Sequence, residues 1–136
     1  MLGTQRVPAF DARRAEQGLR VEVWAGRDEF VLRVDGEADL ATAPVLGRAL
    51  VLASHESQPR VVLDVSNLRF IDAHCLGVIN NARCLLREHD RDLVIRSAPP
   101  MVRHLLTICD MGALIEATDW CRSNENSSKL AMTEPA

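Results

Sequence analysis

Tyrosine is absent from the 136 residues, and the aromatic complement is two Trp and three Phe. So thin an aromatic set argues against a base-stacking surface for single-stranded nucleic acid. Positive charge is not in excess either. The formal net charge is -3, which removes the basic footprint of a phosphate-backbone binder. No apolar run approaches the ~18 residues of a membrane span. The opening segment MLGTQRVPAFDARRAEQG lacks the apolar stretch of a secretory signal, so a cytoplasmic location is expected. There is no P-loop, no Gly-rich dinucleotide turn, no G-x-S-x-G and no plausible triad, and no enzyme is expected. The four cysteines, Cys75, Cys84, Cys109 and Cys121, form no C-x-x-C pair and match no zinc spacing. Free thiols are the expectation, with no metal and no other cofactor.

What is present suits one globular domain: 47 per cent hydrophobic and 26 per cent charged residues, in a chain long enough to bury a core. Residues 1–17 are polar and mixed in charge, which predicts a flexible arm. Residues 122–136 lack apolar periodicity, which predicts a disordered tail. The intervening 18–121 alternate strand and helix patterns. Leu19 to Trp24 alternates apolar and polar, and Phe30 to Val34 follows a turn over Ala25 to Glu29, giving a hairpin. Thr42-Ala43-Pro44 starts a helix, with Thr42 as the cap. Arg60 to Val65 reads as a central strand that turns at Ser66-Asn67. Asp72 caps a helix from Ala73 to about Glu88, with Val78, Ile79, Ala82, Leu85 and Leu86 on one side and Asn81, Cys84 and Glu88 opposite. Leu93 to Ile95 is a strand. Pro99-Pro100 opens a helix through Val102, Leu105, Leu106 and Ile108 that ends at Gly112. Leu114-Ile115 offers a last short strand. The order predicts an α/β domain with a mixed sheet and helices packed on it.

Three segments stand in a telling order. Leu32 to Asp39 is followed by Thr42-Ala43. Val61 to Ser66 leads to Phe70-Ile71-Asp72-Ala73-His74-Cys75-Leu76-Gly77. The strand Leu93 to Ile95, the Ala98-Pro99 step and the helix Val102 to Leu106 come last. Together they resemble the STAS domain family, of the anti-sigma factor antagonist type. The first is similar to the family's strand ending in Gly-Glu-Leu-Asp before its first helix, and the second to its strand followed by Asp-Ser-Ser-Gly-Leu-Gly. The resemblance implies a STAS-like fold and a protein that binds an anti-sigma factor, often a kinase-like ATP-binding protein, and so frees a sigma factor for transcription. The alternative it leaves is an accessory subunit of an ABC transporter handling lipids. It implies a partner surface of Glu37, Asp39, Asp72, Ala73, His74 and Cys75, on a monomer or weak dimer.

The Ser that the family phosphorylates directly after the motif's Asp corresponds to Ala73 here. Alanine has no hydroxyl, so control by serine phosphorylation is not expected. His74 and Cys75 stand where the family usually has Ser and Gly. One His beside one Cys supplies too few ligands for a metal. Cys75 falls in a helix's first turn, where the dipole lowers a thiol pKa, and it is a candidate redox thiol on the partner face. Cys109 is the other candidate, although its pattern also suits the core, and Cys121 suits a strand end. Cys84 is expected on the exposed face. Asp64 is the only acid that reads as buried.

Overall fold

The computed structural model describes residues 5–6 and 18–116. The elements are β1 (Gln5–Arg6), β2 (Leu19–Ala25), β3 (Glu29–Ala38), α1 (Ala43–Ser54), β4 (Arg60–Ile71), α2 (Ala73–Arg87), β5 (Asp92–Arg96) and α3 (Pro100–Ile108), followed by a 3-10 turn at Gly112–Leu114. The strands form one sheet in the order β1-β2-β3-β4-β5. β1–β2 and β2–β3 are antiparallel, and β3–β4 and β4–β5 are parallel. The expected arm and tail lie outside the described residues, except for Gln5–Arg6, which pairs with Trp24 and Ala25.

Alternation in the sequence becomes sidedness in the sheet. Leu19, Val21 and Val23 of β2, Phe30, Leu32 and Val34 of β3, Val61, Leu63 and Val65 of β4, and Leu93 and Ile95 of β5 share one core with the buried residues of all three helices. The opposite face carries mixed charge. Arg96 bonds Glu29 and Glu116, and Arg60 reaches Glu116 as well, so the network spans β3, β4, β5 and the end of the domain. The Arg96 hydrogen bond holds the Glu116 carboxyl below the usual carboxylate range despite its burial. Among the described residues Glu116 is thus the buried acid, and Asp64, which reads as buried in the sequence, is only half-buried.

β4 runs on to Ile71 where the sequence suggests a turn at Ser66-Asn67. Polar residues continue the strand because it is bulged twice. Arg33 pairs with Asp64 and Asp35 with Asn67. Gly36 then pairs with Leu68 and Glu37 with Phe70, so β4 gains one residue on β3 at each step. At the first bulge the Ser66 N–H is taken by the Asp64 carboxylate at 3.0 Å.

The helix ends use other residues than the sequence suggests. Asp110, at φ 62°, adopts the left-handed conformation that closes α3, and Met111 N–H bonds Leu106 C=O at 2.7 Å. Gly112 instead begins the 3-10 turn, and the expected strand at Leu114-Ile115 shrinks to a single bridge from Ile115 to Ile95. Asp90, at φ 61°, closes α2 in the same way and delivers Arg91 to the end of α1. The buried Arg91 guanidinium donates to the carbonyls of Ala53 (3.1 Å), Ser54 (3.3 Å) and Gln58 (2.6 Å). Those first two are terminal carbonyls of α1, of which that of Ala53 also accepts the Glu56 N–H at 3.1 Å, and a cation suits the negative end of the helix dipole.

One close approach permits only glycine. Gly36 has φ +117°, and a Cβ there would sit 2.2 Å from the Gly18 carbonyl oxygen, which accepts the Glu37 N–H at 2.9 Å. Backbone, not a flexible side chain, fills the space, so nothing nearby can give. Gly36→Ala is expected to cost at least about 2 kcal/mol from positive φ and clash together. Urea unfolding of wild type and variant measures it, and an unchanged midpoint would contradict the close approach.

Candidate functional site

Parallel strands carry their C-terminal ends to the same edge of a sheet. β3 and β4 therefore deliver their following turns side by side, and α1 and α2 both start there. The join is fixed by backbone: Ala38 pairs with Ile71, and the Asp72 N–H bonds the Ala38 carbonyl at 3.1 Å.

The first turn, Asp39 to Thr42, is closed from both ends. The Asp39 carboxylate accepts the Thr42 N–H at 3.0 Å, and the Thr42 hydroxyl accepts the Asp39 N–H at 2.9 Å while donating to the Glu37 carbonyl at 2.9 Å. The expectation that Thr42 caps α1 is thus corrected. Thr42 occupies the cap position, but its hydroxyl points back into the turn and makes no capping bond. Pro44 stands in the first turn as expected. The second turn is as the sequence predicts: the Asp72 carboxylate accepts the Cys75 N–H at 3.0 Å and caps α2.

Glu37, Asp39, Asp72, Ala73 and His74 are brought to this one edge. Ala73 and His74 are exposed, Asp39 and Asp72 half-buried, and Glu37 is exposed with Arg69 at 4.0 Å. Cys75 is the exception. It is fully buried and its thiol donates to the Asp39 carbonyl at 3.4 Å, so it ties the two turns together from beneath. Burial above all, then the charge and hydrogen bonding of Asp72 and the charge of Asp39, push the thiol from 9.0 up to about 12. The expected dipole-lowered thiol on the partner face is reversed, because desolvation and two carboxylates outweigh the helix dipole. The signal was in the sequence: Cys75, Ile79 and Leu86 fall on one helical face, and all three are buried. The same helical phase leaves Leu85 exposed, against the expectation that it packs inward. Cys84 is exposed as expected, Cys109 is exposed at the end of α3 rather than in the core, and Cys121 lies outside the described residues. Among the described residues, no group of three or more His, Cys, Asp or Glu converges as a metal site would require.

Sequence reasoning passed over two large apolar residues on this edge. Leu40, in the first turn, and Phe70, at the end of β4, are both exposed. Neither stands out in the sequence, because a Leu between Asp39 and Ala41 and a Phe beside Ile71 belong to no periodic pattern.

A fold of this topology, with two strand-end turns locked together at one sheet edge, defines a class of small α/β domains. The family model described as "Mlab, STAS domain" matches residues 21–116, and the chain belongs to the STAS domain family. It is 25% identical over 101 residues to the anti-sigma-B factor antagonist of Staphylococcus epidermidis, across 74% of this chain and 94% of that one. It is 28% identical over 99 residues to the anti-sigma F factor antagonist of Paenibacillus polymyxa, across 72% of this chain and 82% of that one. Its fold is similar to that of an anti-sigma factor antagonist from Mycobacterium paratuberculosis, with a TM-score of 0.63 at 20% identity over 77% of this chain and 86% of that one.

The buried thiol makes a checkable pattern. Iodoacetamide at pH 8 should alkylate Cys84 and Cys109 in the folded protein and leave Cys75 unmodified until the chain is unfolded, as read by peptide mass spectrometry. Because the folded-state pKa is raised, the neutral thiol's contribution to stability is intact below pH 9.0 and is lost between there and about 12. Rapid labelling of Cys75 in the folded protein would contradict its place beneath the turns.

Proposed function

We propose that this chain is an anti-sigma factor antagonist, which binds an anti-sigma factor at the Asp39–Asp72 edge and so releases a sigma factor for transcription. The observation that carries the reading is the locked pair of turns, which presents Asp39, Asp72, Ala73 and His74 together at the start of α2. Two relatives named as anti-sigma factor antagonists, each matching across most of its own length, support it. The chain acts by contact rather than catalysis, in the cytoplasm, as a monomer or weak dimer, on an ATP-binding partner of the kinase-like kind.

Ala73 decides how the contact is controlled. It is the first residue of α2 and it is exposed. A phosphate at this position would add about -1.5 to -2 charges. The helix's positive end would tolerate that charge, but the partner would have to cover a dianion. With alanine there, phosphorylation at this position cannot break the complex, and the surface stays neutral at that point.

Isothermal titration against the source organism's purified anti-sigma factor tests both parts. Wild type should bind, and adding it to the inhibited sigma–polymerase mixture should restore run-off transcript. Ala73→Glu should bind about tenfold or more weakly with its melting temperature preserved. Equal affinity for wild type and Ala73→Glu would move the interface off this edge. Radiolabelled ATP with a kinase-type partner should leave wild type unlabelled, and Ala73→Ser should become an acceptor. Association with a transporter ATPase in place of an anti-sigma factor would favour the transporter-subunit alternative.

A further inference from the structure

The edge described above carries apolar side chains that the fold has no need to expose. Leu40 is 68% exposed and Phe70 43% exposed. Leu40 sits inside the turn that the Asp39 carboxylate and the buried Thr42 hydroxyl close from both ends. A turn held this tightly cannot swing Leu40 onto the core, so the side chain is presented to solvent by a rigid backbone.

Phe70 is turned outward by the second bulge. Leu68 is buried, and simple alternation would put Arg69 out and Phe70 in. The extra residue that β4 gains between Leu68 and Phe70 breaks that alternation, and Ile71, 2% exposed, takes the inward place. Register then places the two side chains on the same edge: Phe70 is paired with Glu37, and Leu40 stands two residues beyond Ala38, the partner of Ile71. Apolar side chains held out from a rigid backbone among charged groups are the usual make-up of interface anchors.

The rim selects the occupant. Glu37, Asp39 and Asp72 supply carboxylates, and the cation Arg69 lies 4.0 Å from Glu37. Two copies of this edge face to face would set carboxylates against carboxylates. Anionic lipid and nucleic acid meet the same repulsion. A protein surface with an apolar pocket bordered by Arg or Lys meets none. A second apolar feature, the groove of about 210 Å³ between α1 and α2 lined by Gly47, Leu50, Val51, Val78, Ala82 and Leu85, has no such rim on its lining.

We infer that Leu40 and Phe70 are the apolar anchors by which this edge enters a basic-rimmed apolar pocket on the anti-sigma factor. The inference rests on the function proposed above and adds the chemistry of the contact.

The test is a titration of the purified anti-sigma factor with wild type, Leu40→Ser, Leu40→Met, Phe70→Ser and the groove variant Val51→Ser/Leu85→Ser, with circular dichroism of each. Leu40→Ser and Phe70→Ser should each weaken binding more than about tenfold. Leu40→Met should stay within about threefold, since it keeps apolar bulk. The groove variant should match wild type. Wild-type affinity should fall as salt rises. If Phe70→Ser unfolds, Leu40→Ser carries the test, because an exposed turn residue leaves the core untouched. Normal binding by Leu40→Ser alongside lost binding by Ala73→Glu would overturn the anchors while the proposed function stands. Loss in the groove variant with normal Leu40→Ser binding would overturn the anchors in favour of the groove. No binding by wild type would overturn the anchors and the proposed function together.

Discussion

The parallel pairing of β3 with β4, and the lock at its C-terminal end, is the constraint on which the site depends. Sheet pairing alone would bring the two turns near one another. The Asp72 N–H on the Ala38 carbonyl and the buried Cys75 thiol on the Asp39 carbonyl fix their relative position. A neutral thiol suits that place better than a charged group would, because it lies under the two carboxylates Asp39 and Asp72. The same lock sets where α1 and α2 begin, and so which of their first residues meet solvent. Asp39 and Asp72 therefore do structural work with one oxygen and still bring charge to the surface.

The sheet divides the labour between its faces. One face is apolar and buried under the helices. The other carries Arg20 against Asp35 and the Glu29, Arg60, Arg96 and Glu116 network. Individual exposed pairs contribute little to stability, whereas a connected set around a buried carboxylate is harder to take apart. Arg91 performs a comparable task inside the helical layer, where it satisfies the end of α1 from the far end of α2. The apolar groove between α1 and α2 thus stands apart from the charged face, whereas the acidic edge continues it through Glu37 and Arg69.

Much of the fold was legible because local pattern and tertiary position agree. Leu19 to Trp24 alternates and is a half-buried strand; Val61 to Val65 is continuous and central; Asp72 before a helical run is a cap. Legibility failed where a long-range contact decided the outcome. Ser66 and Asn67 look like a turn, and only pairing with β3 makes them part of a bulged strand. Thr42 has the chemistry of a cap, but the neighbouring Asp39 claims its hydroxyl. Asp90 and Asp110 take left-handed positions that glycine would be assumed to fill. At the site, Asp39, Asp72, Ala73 and His74 were found through motif order. Cys75 was assigned to the wrong side of the helix start because its dipole was weighed without its burial. Leu40 and Phe70 escaped notice since exposure of a single apolar residue leaves no periodic trace.

The two bulges of β4 also make chain length matter more than residue identity in this stretch. Each adds one residue, and a single added residue exchanges the two faces of everything downstream. Two together restore the original parity, which is how Ile71 returns to the core and Asp72 arrives at the helix start. Loss of one residue at either bulge would turn it into plain alternation with Leu68 and Ile71 still inward, whereas an added residue must bulge out in its turn or expose Ile71 and bury Asp72. Length changes in this part of the chain should therefore be confined to the bulges themselves and to segments such as 26–28 and 55–59, which join elements without setting their phase.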